Sequence, residues 1–214
     1  NDRAERHVRP LAEALDSPII VPCDVRIPGQ LESVFETVRA SWGRLDFVVH
    51  SIAYAARDDL HGRVVDASAG GFAMAVDVSC HSFIRMARLA EPLMPDGGTL
   101  LTVTFYGSER VVENYNLMGP VKAALESSVR YMAAELGPKG IRVHAISPGP
   151  MKTRAASGID RFDELLERAA RQAPQRHVVD VDDVGAVARF LASDGARRIT
   201  GTVIPVDGGQ HIMA

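Results

Sequence analysis

The chain has 214 residues, of which 46% are hydrophobic and 24% charged, proportions typical of one folded domain with a full hydrophobic core. Its net charge of −3 gives no basic excess that would indicate nucleic-acid binding or an anionic membrane surface. The longest stretch without a charged residue is Gly97 to Ser108, 12 residues, which is too short to cross a bilayer. We therefore expect neither a nucleic-acid-binding protein nor a membrane protein.

Short apolar segments alternate with longer helical ones along the chain. Five segments have the β-branched, apolar composition of buried strands: Pro18–Pro22, Leu45–His50, Thr99–Thr104, Ile141–Ile146 and Thr202–Val206. Strands separated by helices predict right-handed crossovers and a largely parallel sheet covered on both faces. The sequence therefore predicts an α/β fold.

Helical periodicity fills the intervals between these strands. Apolar residues recur at helical spacing in four stretches: Leu31, Val34, Phe35 and Val38; Ala123, Val129, Met132, Ala133 and Leu136; Phe162, Leu165, Leu166, Ala169 and Ala170; Val184, Val187, Ala188 and Leu191. The third of these helices ought to begin near Asp160. Pro10 interrupts the helical stretch from Ala4 to Leu15, which predicts a kink or a late helix start there.

The cysteines and histidines show no metal-binding pattern. Cys23 and Cys80 lie far apart without a paired spacing, as is common in a reducing compartment, and we expect a cytoplasmic location. The charged first residues, Asn1 to Arg6, predict no secretory signal. The seven histidines lack the HxxxH spacing, so we assign no metal ligand.

The most informative stretch runs from Asn114 to Lys122. Tyr115 and Lys122 are seven positions apart, and seven residues of a helix turn about 700°, so both would lie on one helix face. A phenol is a poor acid unless a neighbouring cation or ligand orients it, and an ammonium two turns away can do this while it binds ligand hydroxyls. The spacing alone also fits an interface tyrosine and a solvent-exposed lysine.

Further motifs surround this pair. They are Cys23-Asp24-Val25, His50-Ser51-Ile52-Ala53-Tyr54-Ala55, Asn114-Tyr115-Asn116-Leu117-Met118-Gly119, Val129-Arg130-Tyr131-Met132-Ala133, Ser147-Pro148-Gly149-Pro150-Met151-Lys152-Thr153, Ala155-Ala156-Ser157-Gly158-Ile159 and Val206-Asp207-Gly208-Gly209. In this order and spacing the chain resembles the short-chain dehydrogenase/reductase superfamily. Within it, the chain is similar to the NADH-type enoyl-acyl-carrier-protein reductases of fatty-acid biosynthesis, from Asn1 to the C-terminus.

The position of the tyrosine separates two branches of that superfamily. The branch that acts on alcohols and ketones has its tyrosine four residues before the lysine, where this chain has Met118. Here Tyr115 stands one turn earlier, as in the enoyl reductases. In an enoyl thioester the hydride reaches the β-carbon while charge develops on the more distant thioester oxygen. A displaced donor can reach that oxygen.

The resemblance implies a role for each matching residue. Tyr115 would hydrogen-bond the thioester oxygen, and Lys122 would hold the nicotinamide ribose. The other residues expected to contact NADH, with NADPH open as an alternative, are Asp24, Val25, Ser51, Ile52, Ala53, Pro150, Met151 and Thr153. Local structural roles stay open for three of them: Asp24 as a turn cap, Ser51 as a strand-end hydroxyl and Met151 as core packing.

The enoyl chain, attached to acyl carrier protein, would enter a pocket within the same domain. The residues expected to line it are Tyr54, Tyr106, Met118, Ala155, Ala156, Phe162 and Leu165. Residues 151–172 form the predicted substrate-binding loop and helix, because this segment follows the C-terminal end of a strand, where open α/β sheets bind ligands. An ordinary amphipathic surface helix is the alternative. The resemblance also implies a homotetramer.

Three residues depart from the family pattern. Phe105 stands where the family usually has a second tyrosine, and Tyr106 follows it. Arg154 replaces an apolar residue on the substrate side, and His144 replaces a strand asparagine. Phe105 and Arg154 keep open a second function, a short-chain reductase with a non-carrier carbonyl or enone substrate. A catalytically silent paralogue or fragment that acts only as an oligomer partner is a third.

The sequence contains no glycine-rich phosphate-binding turn. We therefore expect residues 1–214 to form a single Rossmann-like, doubly wound domain that lacks its N-terminal βαβ unit, on the order of 40 residues. In the strand order 3-2-1-4-5-6, the two missing strands would separate the first strand seen here from the second. The resulting gap would leave unpaired backbone groups, so we expect that this segment alone does not fold.

Overall fold

The computed structural model describes residues 2–153 and 161–213. Within these residues, apolar and β-branched segments form a parallel sheet of four strands in the order β1-β2-β3-β4. The strands are β1 (Phe47–His50), β2 (Gly98–Val103), β3 (Ile141–Pro148) and β4 (Thr202–Val206). At least one helix lies in each connection between neighbouring strands, as is usual for the long crossovers that parallel strands need. The predicted α/β class with a parallel sheet is confirmed.

Helices fill the connections. They are α1 (Asp2–Ala14), α2 (Gln30–Trp42), α3 (Arg57–His61), α4 (Ala69–Val76), a π-helical turn (Asp77–His81), α5 (Ser82–Ala90), α6 (Met118–Leu136), α7 (Phe162–Gln172) and α8 (Val181–Ala192). The predicted apolar faces lie on α2, α6, α7 and α8. Pro10 lies inside α1, so this helix does not begin late.

Four of the five predicted strands are present, and the prediction for Pro18–Pro22 is wrong. This segment has no sheet partner among the described residues, and Val21 is 42% exposed. Its two prolines supply no backbone N–H for a sheet hydrogen bond. The expected cover on both faces is also wrong for β1, an edge strand on which Phe47 and Val49 are about half exposed.

The main core lies where α2, α5 and α6 pack on the sheet. Phe83, Leu100, Leu125 and Val143 are fully buried in this core. A separate cluster on the opposite side joins Leu101 and Ile146 of the sheet to α8. These two cores hold β2 and β3 between helical layers, so the C-terminal ends of the strands meet at one edge of the sheet.

No helix in the described ranges 2–153 and 161–213 combines the length and apolar character needed to cross a membrane.

A close backbone approach joins the start of β2 to the turn before β3. Gly97 has a φ of 85°, and a Cβ at this position would lie 2.6 Å from the Gly140 carbonyl oxygen. Because both the backbone conformation and the space favour glycine, we expect Gly97→Ala to lower the free energy of unfolding by ~1–3 kcal/mol. Urea denaturation of the full-length protein measures this change.

Gly185→Ala is the matched control. Gly185 lies in α8 with open space at its Cβ position, so alanine there ought to stabilise the protein by ~0.5–1 kcal/mol. Equal effects of the two substitutions would contradict the proposed steric constraint at Gly97.

Candidate active site

The predicted cofactor-binding segments come together at the C-terminal edge of the sheet. Residues 51–53 follow β1 directly, and residues 150–153 follow β3. Ser51 and Ala53 are exposed, Ile52 packs partly against the main core, and Pro150 is buried. Ligands of open α/β sheets bind at this edge, so the arrangement is suited to a cofactor.

Tyr115 lies in a turn that precedes α6, because the helix begins only at Met118. The prediction that Tyr115 and Lys122 share one helix face is therefore wrong in its geometry. Asn114 and Asn116, on either side of Tyr115, have φ values of 63° and 37°, which a right-handed helix does not accommodate. The Asn116 side chain donates to the Leu60 carbonyl oxygen (2.9 Å) and helps to hold this turn.

The Tyr115 ring is buried in an apolar cluster that includes Leu117, Met118 and Val121. Phe105 contacts the ring edge-on, with 4.8 Å between the ring centroids. A Cβ on Gly107 would lie 2.6 Å from Cδ1 of Tyr115, so glycine lets the ring lie against the backbone after β2. Burial raises the pKa of the Tyr115 phenol, and the charge of Glu126 raises it further.

Lys122 is one turn into α6 and only 6% exposed. Its Nζ donates a hydrogen bond to the Val103 carbonyl oxygen (2.7 Å) at the end of β2. Burial lowers the pKa of Lys122 to about 8, although Glu126 acts in the opposite direction. The solvent-exposed lysine considered as an alternative is therefore ruled out.

Glu126 is a residue of this site that the sequence reasoning missed. Glu126 is 5% exposed, and its carboxylate accepts a hydrogen bond from the Thr104 hydroxyl (2.6 Å). Glu126 lies one helical turn after Lys122 on α6, and its charge raises the pKa of both Lys122 and Tyr115. A charge four residues after Lys122, on an otherwise apolar helix face, was the available signal.

His50, at the end of β1, forms a buried hydrogen-bond chain. The Ser82 hydroxyl donates to the Val78 carbonyl oxygen (2.6 Å), so it accepts from His50 Nε2–H (2.8 Å). His50 Nδ1 is then the acceptor for the Thr102 hydroxyl (2.8 Å). Burial, with a smaller effect of the Lys122 charge, lowers the pKa of His50 to about 4. The imidazole is thus neutral beside the predicted cofactor segment.

Asp24 caps a turn in this structure. Its carboxylate accepts from the Arg26 backbone N–H (3.0 Å) and from the Arg26 guanidinium, and these hydrogen bonds lower the pKa of Asp24 to about 2. Val25 is buried, and its carbonyl oxygen accepts from Arg85 (2.8 Å). The turn-capping role is therefore present, and a contact to adenine stays a prediction.

The predicted substrate residues fall into three groups. The cluster around Tyr115 includes Met118 and Leu165, with Tyr106 and Phe162 packed against it. Tyr54 is 44% exposed, and the Arg26 guanidinium lies over its ring at 5.6 Å from the centroid. Ala155 and Ala156, and the departure at Arg154, lie outside the described residues.

The π-helical turn fixes the backbone at Tyr54. The Ser79 hydroxyl donates to the Tyr54 carbonyl oxygen (3.1 Å) and accepts from the Tyr54 N–H (2.9 Å). Such turns are frequent at functional sites, and here the turn holds the segment after β1 in place.

A separate cavity of about 460 Å³ lies between α7 and the start of α8. Apolar residues such as Leu166 and Val179 form much of its lining. Of the predicted site residues that the structure describes, Met151 alone lines it. Within the described ranges, no group of three histidine, cysteine, aspartate or glutamate side chains is arranged to hold a metal ion.

The departure at His144 has a local explanation. His144 is fully buried, and its Nδ1 lies 3.0 Å from the Thr202 hydroxyl across β3 and β4. Burial, assisted by the Arg142 charge, lowers the pKa of His144 to about 4. A neutral histidine therefore joins these strands.

The parallel sheet and the buried tyrosine and lysine at its C-terminal edge define a Rossmann-like α/β protein. Residues 1–211 match the family model described as Enoyl-(Acyl carrier protein) reductase. The chain therefore belongs to the enoyl-(acyl carrier protein) reductase family, as its sequence motifs predicted.

Individual relatives support this assignment. The chain is 45% identical over 212 residues to enoyl-(acyl-carrier-protein) reductase (NADH) 1 of Rhizobium meliloti (strain 1021), covering 99% of this chain and 78% of that protein. It superposes on the reductase of Anaplasma phagocytophilum in complex with NAD with a TM-score of 0.94 and 44% identity, covering 100% and 82% of the two chains. The Bacillus cereus reductase with NADP+ and indole naphthyridinone gives a TM-score of 0.96, 45% identity, and coverage of 100% and 84%.

The buried imidazole of His50 makes stability depend on pH. The folded-state pKa of about 4 lies below the ordinary value of 6.5, so the unfolded chain binds the proton more tightly. The contribution of His50 to the free energy of unfolding is fully present above pH 6.5. It decreases by ~3 kcal/mol as the pH falls towards 4. We expect His50→Gln to flatten the fall in the free energy of unfolding over this range.

Urea denaturation from pH 7 to pH 4 tests this expectation. His7→Gln serves as the control because His7 is exposed on α1. An unchanged slope in His50→Gln would contradict a neutral, buried His50.

Proposed function

We propose that this chain reduces the trans-2 double bond of an enoyl thioester carried by acyl carrier protein, using NADH, with Tyr115 and Lys122 as its catalytic residues. The predicted family, reaction and cofactor class are confirmed by the family match and by the relatives. The observation that supports the residue roles is the burial of the Tyr115 phenol and the Lys122 ammonium at the C-terminal edge of the sheet, with Lys122 held by the Val103 carbonyl oxygen.

The residues present are suited to a nicotinamide cofactor. The Lys122 ammonium has three donors, and among the described residues one of them is used, by the Val103 carbonyl oxygen. The other donors can hold ribose hydroxyls. Ser51, Ile52 and Ala53 supply backbone and hydroxyl groups after β1, and Met151 and Thr153 do so after β3. When bound, the reduced nicotinamide supplies a hydride.

Tyr115 then acts on the substrate as a hydrogen-bond donor. Burial and Glu126 both raise the pKa of the phenol, so it holds its proton at neutral pH. A protonated phenol can donate to the thioester oxygen, where negative charge develops during reduction. The surrounding apolar cluster, which includes Phe105 and Leu165, excludes water and strengthens this interaction.

We also propose a cytoplasmic homotetramer. Tyr131 on α6 is 70% exposed, and Phe190 and Ile212, near the sheet edge at β4, are about half exposed or more. Large apolar side chains at these places are suited to contacts between subunits. Both cysteines are free thiols, which fits a reducing compartment.

Tyr115→Phe tests the role of the phenol. Removal of one oxyanion donor ought to lower kcat with crotonyl thioester by about 100-fold or more, with little change in NADH binding. The loss of NADH absorbance, measured with the full-length protein, gives kcat.

Tyr131→Phe is the matched control, because Tyr131 lies on α6 outside the apolar cluster around Tyr115 and phenylalanine keeps its ring, so this variant ought to retain wild-type activity. Wild-type activity in Tyr115→Phe would contradict the proposed role. Turnover of ketones or aldehydes alone would favour the non-carrier reductase instead.

The oligomer prediction is tested by sedimentation of the full-length protein. We expect a species of four chains that dissociates in Tyr131→Arg, because a charge would be buried at the contact. Val65→Arg is the control, since Val65 is also highly exposed but lies outside α6 and β4. A monomeric wild-type protein would contradict the proposal.

A further inference from the structure

Helix α6 carries two opposite charges into the protein interior. Lys122 and Glu126 are one helical turn apart, and each is 6% exposed or less. Removing a charged group from water costs several kcal/mol unless partners compensate. The burial of both Lys122 and Glu126 therefore requires compensating contacts.

Two successive residues at the end of β2 hold these charges. The Val103 carbonyl oxygen accepts from Lys122 Nζ (2.7 Å), and the Thr104 hydroxyl donates to Glu126 Oε1 (2.6 Å). The Thr104 N–H in turn donates to the Ile146 carbonyl oxygen (2.8 Å) of β3. The carboxylate is thereby fixed relative to the sheet.

Groups from three further elements interact electrostatically with Lys122 or with Glu126. His50 on β1 is neutral, with its pKa lowered by burial and by the Lys122 charge. Cys80 on the π-helical turn also raises the pKa of Lys122. Tyr115, in the turn before α6, feels the charge of Glu126. Glu126, one helical turn from Lys122, is thus the buried carboxylate whose charge raises the pKa of the ammonium.

We propose that Glu126 is a positioning residue whose buried carboxylate, anchored by Thr104 one helical turn from Lys122, keeps Lys122 an ammonium that enters the reduction as a hydrogen-bond donor. This inference rests on the proposed function for the role of Lys122. Glu126 itself acts through the Lys122 side chain.

A purely structural role would need only the hydrogen bond to Thr104. A glutamine at this position has nearly the same shape and its amide oxygen can accept from the same hydroxyl. Glu126→Gln therefore removes the charge and keeps the bond. Thr104→Val does the opposite, because it removes the hydroxyl and keeps the carboxylate.

The test measures the titration of the Lys122 ammonium by NMR in full-length protein with isotope-labelled lysine, without substrate. Lysine is rare, occurring in this sequence at Lys122, Lys139 and Lys152, and Lys122→Met assigns the signal. We expect Glu126→Gln to lower the titration midpoint of Lys122 by about one pH unit, since a nearby opposite charge has been removed. Thr104→Val ought to lower the Lys122 midpoint by less than Glu126→Gln does. Thr104→Ser, which keeps the hydroxyl, ought to leave the midpoint at its wild-type value.

The pH profile of kcat/KM gives the second measurement. In Glu126→Gln the alkaline limb ought to move to lower pH together with the Lys122 midpoint. An unchanged Lys122 midpoint in a folded Glu126→Gln protein would overturn the proposal, as would a loss of stability with an unchanged pH profile. Absence of reductase activity in the wild type would instead contradict the proposed function, which the NMR titration does not depend on.

If Glu126→Gln does not fold, the titration of Lys122 in Thr104→Val decides the question, because this variant releases the Glu126 carboxylate from its anchor. An unchanged Lys122 midpoint in folded Thr104→Val would then overturn the proposal.

Discussion

The Lys122 ammonium is buried at the C-terminal edge of the sheet, and the arrangement of the site depends on how that charge is held. The Val103 carbonyl oxygen accepts one of its hydrogen bonds, and Glu126 lies one turn further along α6. The hydrogen bonds from Lys122 to Val103 and from Thr104 to Glu126 require α6 to lie close against the end of β2. Gly107 and Gly119 permit this approach, since a Cβ on Gly119 would lie 3.0 Å from the Gly107 carbonyl oxygen. The position of the Lys122 ammonium therefore depends on the close backbone packing of α6 against the end of β2.

At the same edge of the sheet, a neutral His50 lies near the charged Lys122. His50 and Lys122 would repel each other if both were protonated, and burial together with the Lys122 charge lowers the pKa of His50 to about 4. The hydrogen bonds of His50 to Thr102 and Ser82 then join β1 to β2 and to the start of α5. A neutral histidine thus helps to position the segment after β1 without repelling the Lys122 ammonium.

The sequence predicted most of the sheet, because buried parallel strands are continuous apolar runs. It failed at Pro18–Pro22, where composition alone cannot show whether a segment has a neighbour to pair with. It placed Tyr115 on α6 because the seven-residue spacing fits a helix, whereas Asn114 and Asn116 adopt positive φ values that end the helical pattern. Glu126 was missed because its role depends on Thr104, which is distant in sequence and close only after β2 and α6 pack together.

The turn that holds Tyr115 gives the phenol a position that a helical residue could not occupy. Met118, one turn before Lys122, lies buried in the apolar cluster and has no proton to donate. With Tyr115 outside the helix, Phe105 and Gly107 after β2 contact its ring in addition to Met118 and Val121 of α6. The lysine is fixed by the helix and the phenol by the loop. In the proposed reaction the phenol donates to a thioester oxygen that lies away from the carbon receiving the hydride, and a donor held outside the helix that carries Lys122 suits that separation.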